Sequence, residues 1–361
     1  MRTAGKTHRR LRSGRRVKGE APGLPRAPEP LSRGSHEAFR ERLGALDRAV
    51  ERAVAESGAE LPSGSWTADA VELALERWAR LARVLESGAV LDLWARPGSE
   101  TASAADEFGY DPSFEAWLAP LLRVLHRAWW RVETVGLDAV PARGRVLLVA
   151  NHAGGLFPYD AAMLKLSARD EHPSHRLVRP LLDPSLMRLP VIGDVLARSG
   201  YVAARARNAE RLLEREQAVL WFPEGAEGSA KLYRDRYRLG TFGRASFVRA
   251  ALRTGAPIVP VAIVGAEEAN PVLGHWDRLG RWLGLRTLPL TPTFPWLGLL
   301  GTVPLPSKWR IEFGEPIDWR ARYEPEAATD ARLVRQLCAE TRERVRALLA
   351  GALARRGRAF L

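Results

Sequence analysis

Three stretches of this chain are apolar at nearly every position: RVLLVA at 145–150, AVLWF at 218–222 and PIVPVAIVG at 257–265. Runs of that length, rich in β-branched residues and closed by glycine or proline, predict strands buried on both faces. Between them the pattern turns helical. AAMLKLSARD at 161–170 reads as a helix with Asp160 at its N-terminal cap. Strands alternating with helices predict an α/β domain, a mostly parallel central sheet flanked by helices. WRIEFGEPI at 309–317 adds a further strand, and a helix from Ala327 to about Leu353 closes the chain.

Upstream the spacing is helical throughout. Phe39, Leu43, Leu46, Val50 and Val54 form one stripe, and Val71, Leu75, Trp78, Leu81 and Leu85 form a second. They predict an N-terminal helical extension over 35–106, packed on the main domain or on a partner. WLAPLLRVLHRAWW at 117–130 is an apolar, aromatic helix with Arg123, Arg127 and Arg131 beside it, suited either to burial or to a lipid interface. The segment at 287–307 is uncharged yet holds five prolines, so it cannot be a membrane-spanning helix. It reads as an apolar loop or lid, one that covers the core, walls an acyl channel or dips into lipid.

Composition adds an asymmetry. Residues 1–34 hold ten Lys or Arg against Glu20 and Glu29, a net +8 out of +13 for the 361-residue chain. Rich in Pro, Gly and Ser, this basic arm is expected to lack fixed structure. An anionic lipid surface, nucleic acid or solvent alone would each suit it. Hydrophobic residues make up 46% of the sequence, ample for one large domain at 107–361. Cys338 is the only cysteine, which excludes an intramolecular disulfide and a cysteine zinc cage, and its place on an apolar helix face predicts a buried thiol. Neither a signal-peptide core nor an apolar run long enough to span a bilayer stands out.

Two turns carry the candidate chemistry. NHAGGLFPYD at 151–160 sets His152 and Asp160 around the Gly154-Gly155 pair, directly after a buried strand. A histidine fixed by a carboxylate can accept a proton near neutral pH. FPEG at 222–225 wedges Glu224 between proline and glycine at another strand end, which holds the carboxylate rigidly. Signatures of other chemistries, GxSxG, GxGxxG, Walker A and the metal-binding HExxH, do not occur.

The ordered set NHAGGLFPYD, GYVAARARNAERLLE at 200–214, WFPEGAEG at 221–228 and APIVPVAIVGAEE at 256–268 resembles the glycerolipid (lysophospholipid) acyltransferase superfamily. Within it, the chain is most similar to the bacterial branch near the monoacylglycerol and diacylglycerol acyltransferases. The similarity runs from about 107 to 318 and takes in KLYRDRYRLGTFGR at 231–244 and PLPSKWRIEFGEPID at 304–318. The family's first motif is His, four residues, then Asp. Here Phe157 stands at that Asp position, and Asp160 comes three residues later. By resemblance His152 is the base and Asp160 its partner; Arg205 and Arg207 are joint candidates for the acceptor-binding arginine. Glu224 and Gly225 match the residues that hold the acceptor head group, and Pro260 matches the proline that shapes the floor of the site.

The resemblance implies transfer of a fatty acyl group from acyl-CoA or acyl carrier protein to a glycerolipid hydroxyl, with no cofactor and no acyl-enzyme. Backbone amides at Gly154 and Gly155 could stabilise the oxyanion. The expected partners are acyl-CoA, a glycerolipid acceptor and an anionic membrane surface, with no specific nucleic acid. The expected place is cytoplasmic, peripherally associated with the membrane. Two alternatives stand beside it: a neutral-lipid acceptor (monoacylglycerol, diacylglycerol or a fatty alcohol), or a non-catalytic lipid- or nucleic-acid-binding protein using the basic arm.

Overall fold

A computed structural model describes residues 105–357 apart from 154, 156, 190, 244, 283–287 and 295–302. The basic arm and all but the last two residues of the expected helical extension lie outside the described residues. Six strands come first: β1 (Glu133–Val135), β2 (Val146–Ala150), β3 (Val178–Leu182), β4 (Val202–Ala203), β5 (Ala218–Trp221) and β6 (Ile258–Val264). A short hairpin, β7 (Gly274–His275) with β8 (Pro289–Leu290), precedes β9 (Arg310–Phe313). The main sheet has seven strands in the order β1-β9-β6-β2-β5-β3-β4. From β6 to β4 every pairing is parallel, while β9 runs antiparallel to β6 and parallel to β1.

The continuous apolar runs follow from burial on both faces. In β2, Val146, Leu148 and Ala150 enter one core layer while Leu147 and Val149 enter the other. The first layer is completed by α2 (Tyr159–Asp170) and two stacked tryptophans, Trp130 and Trp309, whose ring centroids are 4.7 Å apart. The second is built by α4 (Ala206–Glu214), α6 (Ser246–Thr254) and α7 (Ala331–Arg356), with α3 (Ile192–Arg198) and the short α5 (Gly225–Ser229) in the connections. Cys338 lies in this second layer, among the apolar residues its spacing pointed to.

The aromatic helix at the start of the domain is α1 (Pro112–Val124), capped by Asp111 and continued by a π turn over Leu125–Trp129. Trp117, Trp129 and Trp130 are all buried. The indoles of Trp129 and Trp130 donate to the carbonyls of Pro304 (2.9 Å) and Leu305 (3.1 Å), so the late proline-rich segment covers this part of the core. Burial therefore decides between the two sequence readings of these tryptophans, against the lipid interface. In the proline-rich segment itself, 295–302 lies outside the described residues.

Charged clips hold α1 against α2. Lys165 of α2 pairs with Glu115 of α1 at 2.7 Å, Arg169 reaches the same carboxylate at 3.1 Å, and Arg123 binds Asp170 at 2.6 Å. Burial pushes the Lys165 ammonium down to about 8 even though Glu115 pulls it up. These clips matter for function because α2 carries Asp160 in its first turn. The helix begins two residues earlier than its cap was expected: Pro158 holds the cap position and Asp160 is already helical.

Where β6 ends, Gly265 takes φ +109, and an ideal Cβ there would stand 2.5 Å from the Lys308 carbonyl and 2.9 Å from Trp309 Cα. Both obstacles are backbone, so they cannot swing aside. Gly265→Ala should cost about 2–4 kcal/mol, combining left-handed strain with overpacking, read as a lower urea midpoint at unchanged slope.

Candidate active site

The C-terminal ends of β2, β5 and β6 lie side by side, the edge at which open parallel sheets place their ligands. Asn151, fully buried, follows β2 directly. Its side chain donates to the Ile263 carbonyl (2.9 Å) and accepts from the Ile263 amide (2.8 Å), adding one side-chain rung to the β2–β6 ladder. The next residue, His152, leaves the sheet with its backbone already fixed.

His152 Nδ1 lies 2.6 Å from Asp160 Oδ2. Asp160 is completely buried, and its carboxylate also accepts from the amides of Ala153 (2.9 Å) and Ala161 (2.8 Å). Burial alone would raise its pKa, but the adjacent imidazole and these donors outweigh it and hold the carboxyl below the usual range. An ionised carboxylate only accepts, so Nδ1 carries the proton and Nε2 keeps its lone pair when the ring is neutral. The ring stacks on Phe222 at 4.2 Å, with 18° between planes, and only 12% of the His152 side chain is exposed. Phe157 packs near Tyr159 at 5.8 Å in the turn, and the longer loop brings Asp160 back to the histidine.

Glu224, at the end of β5, joins three segments. One oxygen accepts from the His152 amide (2.9 Å); the other accepts from the Gly240 amide (2.6 Å) and lies 3.2 Å from Lys231 Nζ. Its expected partner was an acceptor head group; here both oxygens hold the protein, and the residue also lines the adjoining cleft. Gly225 has φ +60, and open space surrounds the position its Cβ would take, so backbone conformation accounts for this glycine. Gly228 answers to space: a Cβ would stand 2.6 Å from Glu224 Cβ and 2.9 Å from His152 Cβ.

The other expected residues are dispersed. Arg205 and Arg207 are exposed at the start of α4, beyond β4, three strand positions from β2 or about 14 Å at ordinary strand spacing. No hydrogen bond or ion pair joins either guanidinium to the His152–Asp160 pair among the described contacts. Pro260 sits within β6 opposite Val149, three residues below His152, and its carbonyl accepts from the Gly314 amide at 2.8 Å. Gly154 lies outside the described residues. Gly155 has φ +66 and abuts Asn270, whose Cβ would be 3.0 Å from an added Cβ.

Beside Glu224 opens a cleft of about 390 Å³, lined by Glu224, Gly228, Lys231, Leu232, Gly240 and Thr241, among others. Behind it lies a charged network without a motif in the sequence. Glu267 accepts from the Tyr237 amide (3.2 Å) and lies 3.9 Å from Lys231 Nζ; Glu268 pairs with Arg356 (3.0 Å) and accepts from the Tyr237 hydroxyl. These contacts tie the end of β6, the 231–241 loop and the last turn of α7 together. A Glu-Glu pair after a buried strand was the visible signal, but its partners come from distant segments.

Known proteins resemble parts of this chain. A family model described as Acyltransferase matches residues 131–264, a span that contains His152, Asp160, Glu224 and Pro260. An uncharacterized protein of Mycobacterium tuberculosis is 46% identical over 258 residues, covering 71% of this chain and 72% of that protein. Phytyl ester synthase 1, chloroplastic, of Arabidopsis thaliana is 28% identical over 250 residues, 61% of this chain and 34% of that protein. A solved structure of the 1-acyl-sn-glycerophosphate (LPA) acyltransferase PlsC from Thermotoga maritima aligns at 19% identity and TM-score 0.42, over 77% of this chain and 97% of that one; so low a likeness does not bear on the site. An α/β acyltransferase is the class of protein concerned. Residues 131–264 form an acyltransferase-family domain.

Glu267 supplies a test of the network. Burial raises its pKa to about 7, with Lys231 opposing and Glu268 reinforcing the shift. A carboxyl raised in the folded state contributes stability that is complete below its unfolded value of 4.5 and is lost as pH rises through about 7. In denaturant titrations at pH 5 and pH 8, Glu267→Gln should lose less stability than wild type over this interval. An equal loss in both proteins would remove Glu267 as the source.

Proposed function

We propose that this protein is a peripheral membrane acyltransferase on the cytoplasmic face, moving a fatty acyl group from acyl-CoA or acyl carrier protein to a glycerolipid hydroxyl. One observation carries the reading: a buried, ionised Asp160 bonded to His152 Nδ1, which leaves Nε2 as the base. Nε2 takes the proton of the acceptor hydroxyl as its oxygen attacks the thioester carbonyl. The tetrahedral intermediate then collapses, the carbon–sulfur bond breaks, and the thiolate leaving group takes the proton back from the imidazolium. Asp160 stays ionised and steadies the positive ring. Because the thioester is already activated, no enzyme nucleophile is needed. The amides of Gly154 and Gly155 are the proposed donors to the oxyanion.

The membrane part of this reading is association, not spanning. Among the described residues, no helix is long and apolar enough to cross a membrane. A second acceptor class, a neutral lipid or long-chain alcohol, is favoured by the exposure of Arg205 and Arg207 to solvent after the edge strand β4. A phosphate would draw on a guanidinium held close to the reacting hydroxyl. Phytyl ester synthase 1 among the relatives points the same way.

Thiol release from an acyl-CoA series, with lysophospholipid, monoacylglycerol, diacylglycerol and long-chain alcohol acceptors, tests both readings. Release should depend on acceptor and fall about 10²- to 10⁴-fold in His152→Ala, with a comparable fall in Asp160→Asn. The best acceptor decides between the two classes. Wild type and His152→Ala equally inert across the panel would instead leave a binding protein.

A further inference from the structure

The hairpin β7–β8 exposes apolar side chains beside the candidate active site. Leu273 is 61% exposed and Trp276 is 47% exposed, on either side of β7. Single exposed apolar residues are ordinary; a leucine and a tryptophan flanking the same two-residue strand are costly unless something covers them. The neighbouring loop supplies positive charge. Tyr233 donates its amide to the Val272 carbonyl at 2.7 Å, which joins the hairpin to the run Arg234, Arg236 and Arg238, all exposed. Arg234 and Arg238 share one carboxylate, Asp235, at 3.6 and 3.0 Å, and Arg236 lies 4.5 Å over the Tyr233 ring. With exposed Arg278 beside the hairpin, four exposed arginines stand against Asp235, Asp277 and the nearby Glu227.

We propose that this hairpin and the 233–238 loop form the surface by which the protein docks on an anionic lipid bilayer, with Leu273 and Trp276 entering the headgroup region and the arginines meeting lipid phosphates. An amphipathic indole and a leucine ringed by guanidinium groups match the chemistry of that interface, apolar below and anionic above. The location gives docking a purpose. Asn270, just before the hairpin, abuts Gly155 in the His152 loop, and Leu232, next to Tyr233, lines the cleft beside Glu224. A lipid acceptor leaving the bilayer there would meet the catalytic loop without crossing water. The inference rests on the membrane-associated reading above and gives it a surface, and it is tested by binding alone, independent of acyl transfer.

The basic arm could by itself hold the chain on anionic vesicles, so insertion has to be read at the hairpin. In the full chain with Cys338→Ala, Leu273→Cys is labelled with an environment-sensitive fluorophore; Arg320→Cys, exposed beside Gly255, serves as control. On vesicles of equimolar phosphatidylcholine and phosphatidylglycerol, the 273 probe should shift to the blue and brighten while the 320 probe stays unchanged. Without a label, Leu273→Ser with Trp276→Ser should weaken vesicle partitioning about tenfold, from the lost apolar insertion. Arg234→Gln with Arg236→Gln and Arg238→Gln should weaken it on these vesicles and have little effect on pure phosphatidylcholine. Binding with an unchanged 273 probe would overturn the proposal in favour of the arm alone. A probe already blue-shifted without vesicles would overturn it too, indicating another segment of the chain as cover, or a second copy if the shift grows with protein concentration. Absence of vesicle binding would also overturn it.

Discussion

A negative charge with no access to water sits at the centre of this site. Asp160 is fully buried, yet its partners keep it ionised: the His152 ring and two backbone amides. Removing one partner from a buried pair typically costs about 3–5 kcal/mol, because the charge left behind is stranded. Several surrounding features follow from that constraint. The turn from 152 to 160 must bring the imidazole over the first turn of α2. The helix in turn must not shift, which gives the ion pairs to α1 their role.

The same tolerance is enforced from the sheet side. Asn151 clamps the end of β2 to β6 through both of its side-chain hydrogen bonds, and Glu224 accepts the His152 amide from the end of β5. The imidazole is thus fixed through its backbone by two strands, through Nδ1 by a helix, and through its face by Phe222. The proposed role as a base calls for such redundancy, since reacting atoms must be held within a fraction of an ångström. Glu224 acts as a strut between these segments while also lining the cleft.

Behind the strut, the network of Lys231, Glu267, Glu268, Tyr237 and Arg356 gathers charge from the end of β6, a long loop and the last helix. Its outer side is the loop whose arginines face solvent next to the hairpin carrying Leu273 and Trp276. Glu224 thus links the His152 backbone to the cleft, and Tyr233 links the cleft's loop to the hairpin.

The sequence by itself determined the α/β class, the buried strands and the residues at their ends. Two-sided burial demands continuous apolar runs, and a turn at a strand end demands glycine or proline, so both leave local marks. It also placed His152 and Asp160 close enough along the chain for a loop to join them. Only the tertiary structure decided the rest. Trp129 and Trp130 carry the same aromatic pattern whether they face lipid or core, and the Trp309 ring and the 304–305 carbonyls decide it from far along the chain. Arg205 and Arg207 sit within a matching motif, but strand order places them at the sheet edge, and strand order is a long-range property. Glu224 showed its rigidity in Pro-Glu-Gly; its partners, the amides of His152 and Gly240, come from separate segments. Local sequence fixes what a short stretch can become, whereas contacts between distant segments exist only once the sheet has assembled.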